Sequence, residues 1–272
     1  MRSLKILLAC WFAFWLPTAG ASGFDAFAGP RPLAVLIQSD PWLMVNGSDT
    51  PRVAVYENGD VIFLKTVNGK RVHRKLSLDE QALAALRERL KPVLLGKPLK
   101  ANYLQSARTD QSTAMIYLRD GEREVATSVY ASICPGDSVG EPQPAPADLQ
   151  DQAPPRELKA LHGWLCGFDA PGSQPWMPPY VEVMLWDYSN APDASISWPA
   201  RWPSLTSPRT LKRREAYSIF LDGSQLPALR EFLARQKAKG AIEIEHKKMV
   251  AAYRFAFPSE PVWRSAFRKA DQ

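Results

Sequence analysis

The chain has 272 residues, of which 46% are hydrophobic and 23% charged, and carries a formal net charge of +6. Its length allows one or two domains with a substantial core. The basic excess is mild and its densest stretches, Lys212-Arg213-Arg214 and Lys237-Ala238-Lys239, are short. That excludes a nucleic-acid binder built on a concentrated basic stripe and leaves these stretches as solvated surface.

The first residues read as an export signal. Arg2 and Lys5 precede an apolar run from Ile6 to Leu16, then a break at Pro17 and the small residues Ala19-Gly20-Ala21. This is the layout of a secretory signal peptide, residues 1–21, cleaved after Ala21. The apolar run is about half the ~20 residues a membrane-spanning helix needs, so no membrane span is expected after cleavage. The rival reading acylates Cys10 in Leu7-Leu8-Ala9-Cys10, but it leaves only Ile6 to Ala9 as the apolar run. Cleavage removes Arg2 and Lys5 and no acid, leaving a formal charge of +4 on an exported, periplasmic or secreted protein.

Residues 30–131 form the first expected unit. Alternating apolar residues flank Asn58-Gly59 in VAVYENGDVIFL, and Asn68-Gly69 follows between Val61-Ile62-Phe63-Leu64 and Arg71-Val72-His73. Both pairs tolerate the positive φ of a type I′ turn, so three antiparallel strands are expected. The period then changes. Ser77-Leu78-Asp79-Glu80 is a capping-box pattern, and Leu83, Leu86, Leu90 and Val93 line one helical face. Met115 to Leu118 and Val125 to Tyr130 then pair across Asp120-Gly121.

Residues 132–155 are a Pro-rich loop with almost no large apolar residues. Cys134 and Cys166 flank it, and in an oxidising compartment they are expected to bond. Closing that loop is worth roughly 3 to 4.7 kcal/mol in the chain-entropy picture. Gly136-Asp137-Ser138-Val139-Gly140 matches the G-x-S-x-G pattern of serine hydrolases. Those enzymes set the serine between a strand and a helix, whereas Pro142, Pro144 and Pro146 occupy the place of the helix here. Ser138 therefore reads as a polar loop serine.

Residues 156–262 form the second expected unit, a linker helix followed by another sheet and helix. PPRELKALHGWLC, residues 154–166, has helical spacing through Leu158, Leu161 and Leu165. Val181 to Trp186 and Ala216 to Phe220 read as strands. A helix begins near Ser224, its expected cap, with Pro227 in the first turn and Leu226, Leu229 and Leu233 on one face. Ala241 to Glu245 and Val250 to Phe257 form a hairpin around His246-Lys247-Lys248. LDEQALAALRERL from residue 78 and LDGSQLPALREFL from residue 221 agree at eight of thirteen positions. Together with the shared order of elements, the match suggests an internal duplication. The expected fold class is α+β, two antiparallel sheet-plus-helix units joined by a Pro-rich loop and a short helix. The alternative is one larger mixed sheet with two or three helices.

The candidate binding residues are aromatic. Trp164, Trp176, Trp186, Trp198 and Trp202 fall within thirty-nine residues, and Trp198-Pro199 is echoed by Trp202-Pro203. Prolines keep such a segment extended, so Trp198 and Trp202 can offer flat apolar surface, with Trp186 nearby and Asp187 and Arg201 adding polar selectivity. The competing role is inward packing over a sheet edge or between the units. His162 is a candidate general base on the linker helix, weighed against a half-buried structural histidine. His73 in a strand and His246 at a hairpin tip read as surface residues, and Glu243 and Glu245 as a solvated strand face. No C-x-x-C or H-x-x-x-H spacing occurs, so no metal and no cofactor is expected. These readings favour a non-catalytic binding or interaction module of the cell envelope, with a protein or glycan partner. The alternative is an envelope hydrolase whose catalytic set, with Ser138 or His162, is assembled only by folding.

Overall fold

The computed structural model describes residues 23–41, 50–134 and 151–270. The expected signal segment, residues 1–21, most of the Pro-rich loop and Ser138 lie outside them. The architecture is α+β, with two sheets and four α-helices among the described residues.

The first sheet contains β1 (Pro32–Ser39), β2 (Pro51–Tyr56), β3 (Asp60–Val67), β4 (Lys70–Ser77), β5 (Asn102–Leu104), β6 (Thr113–Asp120), β7 (Arg123–Tyr130) and the two-residue β8 (Gln174–Pro175). Its order is β5-β7-β6-β1-β2-β3-β4-β8. Every pairing is antiparallel except β5 with β7 at one edge. The hairpin turns follow their residues. Asn68 and Gly69 both have positive φ, as a two-residue I′ turn requires. At Asn58-Gly59 only the glycine does, so β2 and β3 are joined by three residues instead of two. Gly59 is also pressed against the Leu78 carbonyl, which a Cβ would approach to 2.7 Å.

The central strand β1 has the sequence PLAVLIQS, which is buried on both faces. A continuous apolar run of this kind gives no alternation to read. One face, with Leu36, Val53, Val55, Phe63 and Ile116, packs beneath α1 (Glu80–Leu94) and α2 (Arg156–Cys166). The other face, with Val35, Ile37, Ala54, Tyr56 and Tyr117, packs beneath α4 (Glu260–Ala270). α1 starts at Asp79, whose carboxylate accepts from the Ala82 amide at 2.8 Å. Ser77, the expected cap, instead donates its hydroxyl to Asp60 at 2.7 Å.

The second sheet has the order β10-β13-β14-β9-β12-β11, built from β9 (Tyr180–Asp187), β10 (Asp193–Ser197), β11 (Thr210–Arg213), β12 (Ala216–Asp222), β13 (Gly240–Ile244) and β14 (Lys247–Phe255). It too has one parallel pair, β10 with β13, at its edge. α3 (Leu226–Ala234) covers Val181, Val183, Leu185, Ile219 and Ile242 with Leu226, Leu229 and Phe232. It follows a single 3-10 turn, Gly223–Gln225, and has no side-chain cap, so Ser224 does not cap it.

The matching helices sit in differently wired sheets. β4, before α1, is separated from the central β1 by two strands, whereas β12, before α3, pairs with the central β9 directly. In the first sheet the first strand of the hairpin after the helix lies inside; in the second sheet it is the second strand. The likeness of LDEQALAALRERL and LDGSQLPALREFL therefore does not extend to strand order.

Packing also crosses the expected boundary at residue 156. α2 belongs with the first sheet, where Leu158, Leu161 and Leu165 are buried in its core. Cys134 and Cys166 are bonded, with their Cα atoms 5.3 Å apart, and hold it there. α4, which straddles the expected end of the second unit at residue 262, closes the first sheet with Trp263, Ala266 and Phe267. In return Phe24, Ala26 and Phe27 pack on Phe220 and Ala256 of the second sheet before the chain enters β1. Each unit is completed by the other's terminus. No helix among the described residues is long and apolar enough to cross a membrane.

Candidate binding sites on the second unit

The Trp-Pro segment folds inward. Trp198 and Trp202 are 9% and 6% exposed, their rings 4.9 Å apart and edge to face, and both rest edge-on against Phe232 of α3. Both indole N–H groups are used internally. Trp198 donates to the Pro203 carbonyl at 3.0 Å and Trp202 to the Gln225 side-chain oxygen at 3.3 Å. A flat platform of two exposed indoles is therefore not formed. The reason is packing: α3 is only nine residues long, and the two indoles complete the cover of the sheet's apolar face.

What the segment does form is the wall of a cleft of about 660 Å³. Arg201, Trp202, Arg209, Asp222 and Gln225 line it. Arg201 is exposed at the rim. Arg209 donates to Asp222 at 2.9 Å and lies over the rings of Phe24 and Tyr180, with its guanidinium carbon 5.5 and 5.7 Å from their centres. The Trp202 bond to Gln225 fixes the amide at the base of α3. The cleft therefore has a stiff apolar wall and a polar rim of both charges.

Of the five candidate binding residues, Arg201 and Trp202 meet in this cleft. Trp198 lies behind Trp202 and supports it. Trp186 points to the opposite face of the second sheet, because it follows Leu185 in the strand alternation and Leu185 belongs to the covered core. Asp187 is exposed at the end of β9, where it accepts from the Ser189 hydroxyl at 3.0 Å. Trp186 and Asp187 are not brought to the cleft.

The histidines take structural positions. His162 is buried on α2, with Nδ1 3.3 Å from the Ser132 hydroxyl and Nε2 3.3 Å from the Cys166 sulfur. Burial, assisted by the charge of Arg52, pushes its pKa down to about 4, so the ring is neutral at pH 7. Neither an Asp nor a Glu holds it among the described residues, and the hydrolase reading finds no acid partner there. Cys134, His162 and Cys166 place their donor atoms within 4.8 Å of one another, but the two sulfurs are bonded together and offer no thiolate.

His73 is not a surface residue. It sits in the layer between the two units, its ring 5.5 Å from those of Phe255 and Phe257 and 5.8 Å from Trp176, with Nε2 3.3 Å from the Pro51 carbonyl oxygen. Burial lowers its pKa to about 4. His246 is exposed in the β13–β14 turn, where Glu245 and His246 both have positive φ. Glu243 is exposed on β13, and Glu245 accepts from the Leu205 amide at 2.9 Å.

One constellation escaped the sequence. Glu182 on β9 and Arg254 on β14 are direct cross-strand partners on the face of the second sheet away from α3, and their side chains form an ion pair. Arg254 also pairs with Glu260 of α4, which pairs with Arg264 one turn on. Arg213 lies 3.6 Å from Glu182 and donates to the Ser218 hydroxyl at 3.0 Å. Glu182 and Glu260 are each 1% exposed and Arg254 7%. Two signals were available: Glu182 inside the apolar strand YVEVMLW, and the spacing of Glu260, Arg264 and Arg268 four residues apart. The pairing across 72 residues between Glu182 and Arg254 was not.

The chain matches no protein-family model, no curated protein sequence and no solved structure.

Proposed function

We propose that the protein is an exported binding module of the cell envelope that engages a protein or glycan partner through the cleft beside Trp202. The observation that carries this reading is the preorganised wall of that cleft. Both indole N–H groups are already bonded and both rings are packed on Phe232, so binding need not order them. Arg201, Arg209, Asp222 and Gln225 supply donors and acceptors around an apolar wall, the composition expected where a few polar groups set specificity. Export through the signal of residues 1–21, with the disulfide holding α2 in place, suits an oxidising envelope compartment.

The test is capture from the envelope fraction and from a glycan array, with the wild type compared with Arg201→Ala and Gln225→Ala. Capture of one partner that weakens about tenfold in either variant supports the cleft as the site. Capture indifferent to both variants overturns it. Turnover of an ester or glycan panel by the wild type would overturn the non-catalytic reading.

A further inference from the structure

The ion network on the far face of the second sheet borders a cavity of about 330 Å³ between that sheet and α4. We propose that this cavity binds a small organic anion, a carboxylate or phosphate ester carrying an apolar group. Phe220 and Leu221 alternate to opposite faces of β12, so the cavity is on the other side of the sheet from the Trp202 cleft and is independent of it.

Charge is the first argument. Arg213, Arg254, Arg264 and Arg268 line the cavity against only Glu182 and Glu260, a formal excess of two positive charges. Depth is the second. The carboxylates are at the back, with side chains 2% and 1% exposed, and the guanidiniums step outward from Arg254 at 5% through Arg264 at 30% to Arg213 at 55%. Arg268 is exposed on the last turn of α4. The buried Glu–Arg pairs therefore fix the floor, and the surface offered to a ligand is cationic.

A network serving only to dock α4 would close with Arg254, Glu260 and Arg264. Arg213 reaches Glu182 at 3.6 Å from a half-exposed position, and Arg268 adds charge at the mouth without a buried pair. Guanidinium forks match the two oxygens of a carboxylate or phosphate. Met184, Trp186, Phe27 and Pro261 add an apolar stretch of wall beside the charges, with Tyr217 and Ser218 also in the lining. That pairing of an anionic end with an apolar body defines the ligand class. The volume is at the small end of the roughly 300–1,000 Å³ range of ligand pockets.

Calorimetric titration of the exported form, beginning at Ser22, with phenyl phosphate, benzoate and inorganic phosphate tests this. Phenyl phosphate or benzoate is expected to bind with a Kd near or below about 1 mM, more tightly than inorganic phosphate, and more weakly as salt is raised. Which of the two binds tighter identifies the anionic group. Arg213→Ala and Arg268→Ala are each expected to weaken binding about tenfold, with the near-ultraviolet circular dichroism unchanged because both side chains are exposed. Arg201→Ala, in the other cleft, leaves it unchanged. An absence of heat with all three probes to about 10 mM, or binding indifferent to both Arg213→Ala and Arg268→Ala, overturns the proposal.

Discussion

Both sheets bury one face under a leucine-bearing helix, but they treat the opposite face in different ways. The first sheet sets Val35, Ile37, Tyr56 and Tyr117 against Trp263 and Phe267, an apolar layer closed from solvent. The second sheet sets Glu182, Ser218 and Arg254 against Glu260 and Arg264 of the same helix, α4, and leaves a cavity beside them. One helix thus has an apolar side that completes a core and a charged side that borders the cavity. Burying two carboxylates and a guanidinium is expensive, and apolar residues in their place would often be as stable or more so. A face kept charged at that expense points to recognition more than to stability.

Trp263 is fully buried in the layer over the first sheet. Trp263→Ala is expected to lower unfolding free energy by about 3–5 kcal/mol. Trp186, half-buried on the wall of the open cavity, is expected to lose less than about 1.5 kcal/mol on the same change. Chemical denaturation of both variants measures the difference. Equal losses would mean that the cavity wall is as closely packed as the apolar layer, and the contrast between the two faces would fail.

His73 and His162 each fall from an ordinary pKa of 6.5 to about 4 on burial. In the unfolded chain both bind a proton near pH 6.5, whereas in the folded protein they resist it until about pH 4. The unfolded state therefore holds more protons in that window, and stability falls as pH drops from about 6.5 to 4. Each histidine contributes of order 2–3 kcal/mol to that loss. His162 lies in the core of the first unit and His73 between the units. Denaturation midpoints measured from pH 7 to pH 4 should therefore fall steeply in the wild type and less so in His73→Phe. A His73→Phe profile parallel to that of the wild type would remove His73 from the account.

The sequence carried the local elements well and the long-range arrangement poorly, for physical reasons. Asn68-Gly69, the leucine spacing of α1 and the cysteine pair each specify their outcome within a few residues or through one bond. β1 was silent because a strand buried on both faces has no alternation. α4 was not read from the sequence: it carries two stripes, Trp263 with Phe267 and Glu260 with Arg264 and Arg268, and nothing local says that they meet different sheets. Of the two orientations open to the Trp-Pro segment, an exposed platform or inward packing, the structure takes the inward one. Proline keeps a chain extended, but the short α3 leaves apolar sheet uncovered and draws both indoles in. The arginine-lined cavity depends on strand register, which no spacing within one segment encodes.

The smallest effect concerns the matched helices themselves, where Asp79 and Asp222 occupy the same aligned position. Asp79 caps α1 through the Ala82 amide, and its loss in Asp79→Ala should cost about 1 kcal/mol. Asp222 precedes the 3-10 turn, caps nothing, and pairs with Arg209 where both side chains are substantially exposed, 54% and 38%. Asp222→Ala should therefore change stability by no more than about 0.5 kcal/mol. Gly223 and Pro227 account for the divergence. Gly223 itself is pressed so close to Pro178 that a Cβ on it would lie 1.8 Å from the Pro178 carbonyl oxygen, and the proline delays the helix to Leu226. Paired urea titrations of the two variants would read the difference. Equal losses would show that the two helix starts do the same work, and that the likeness between the halves reaches deeper than their strand order.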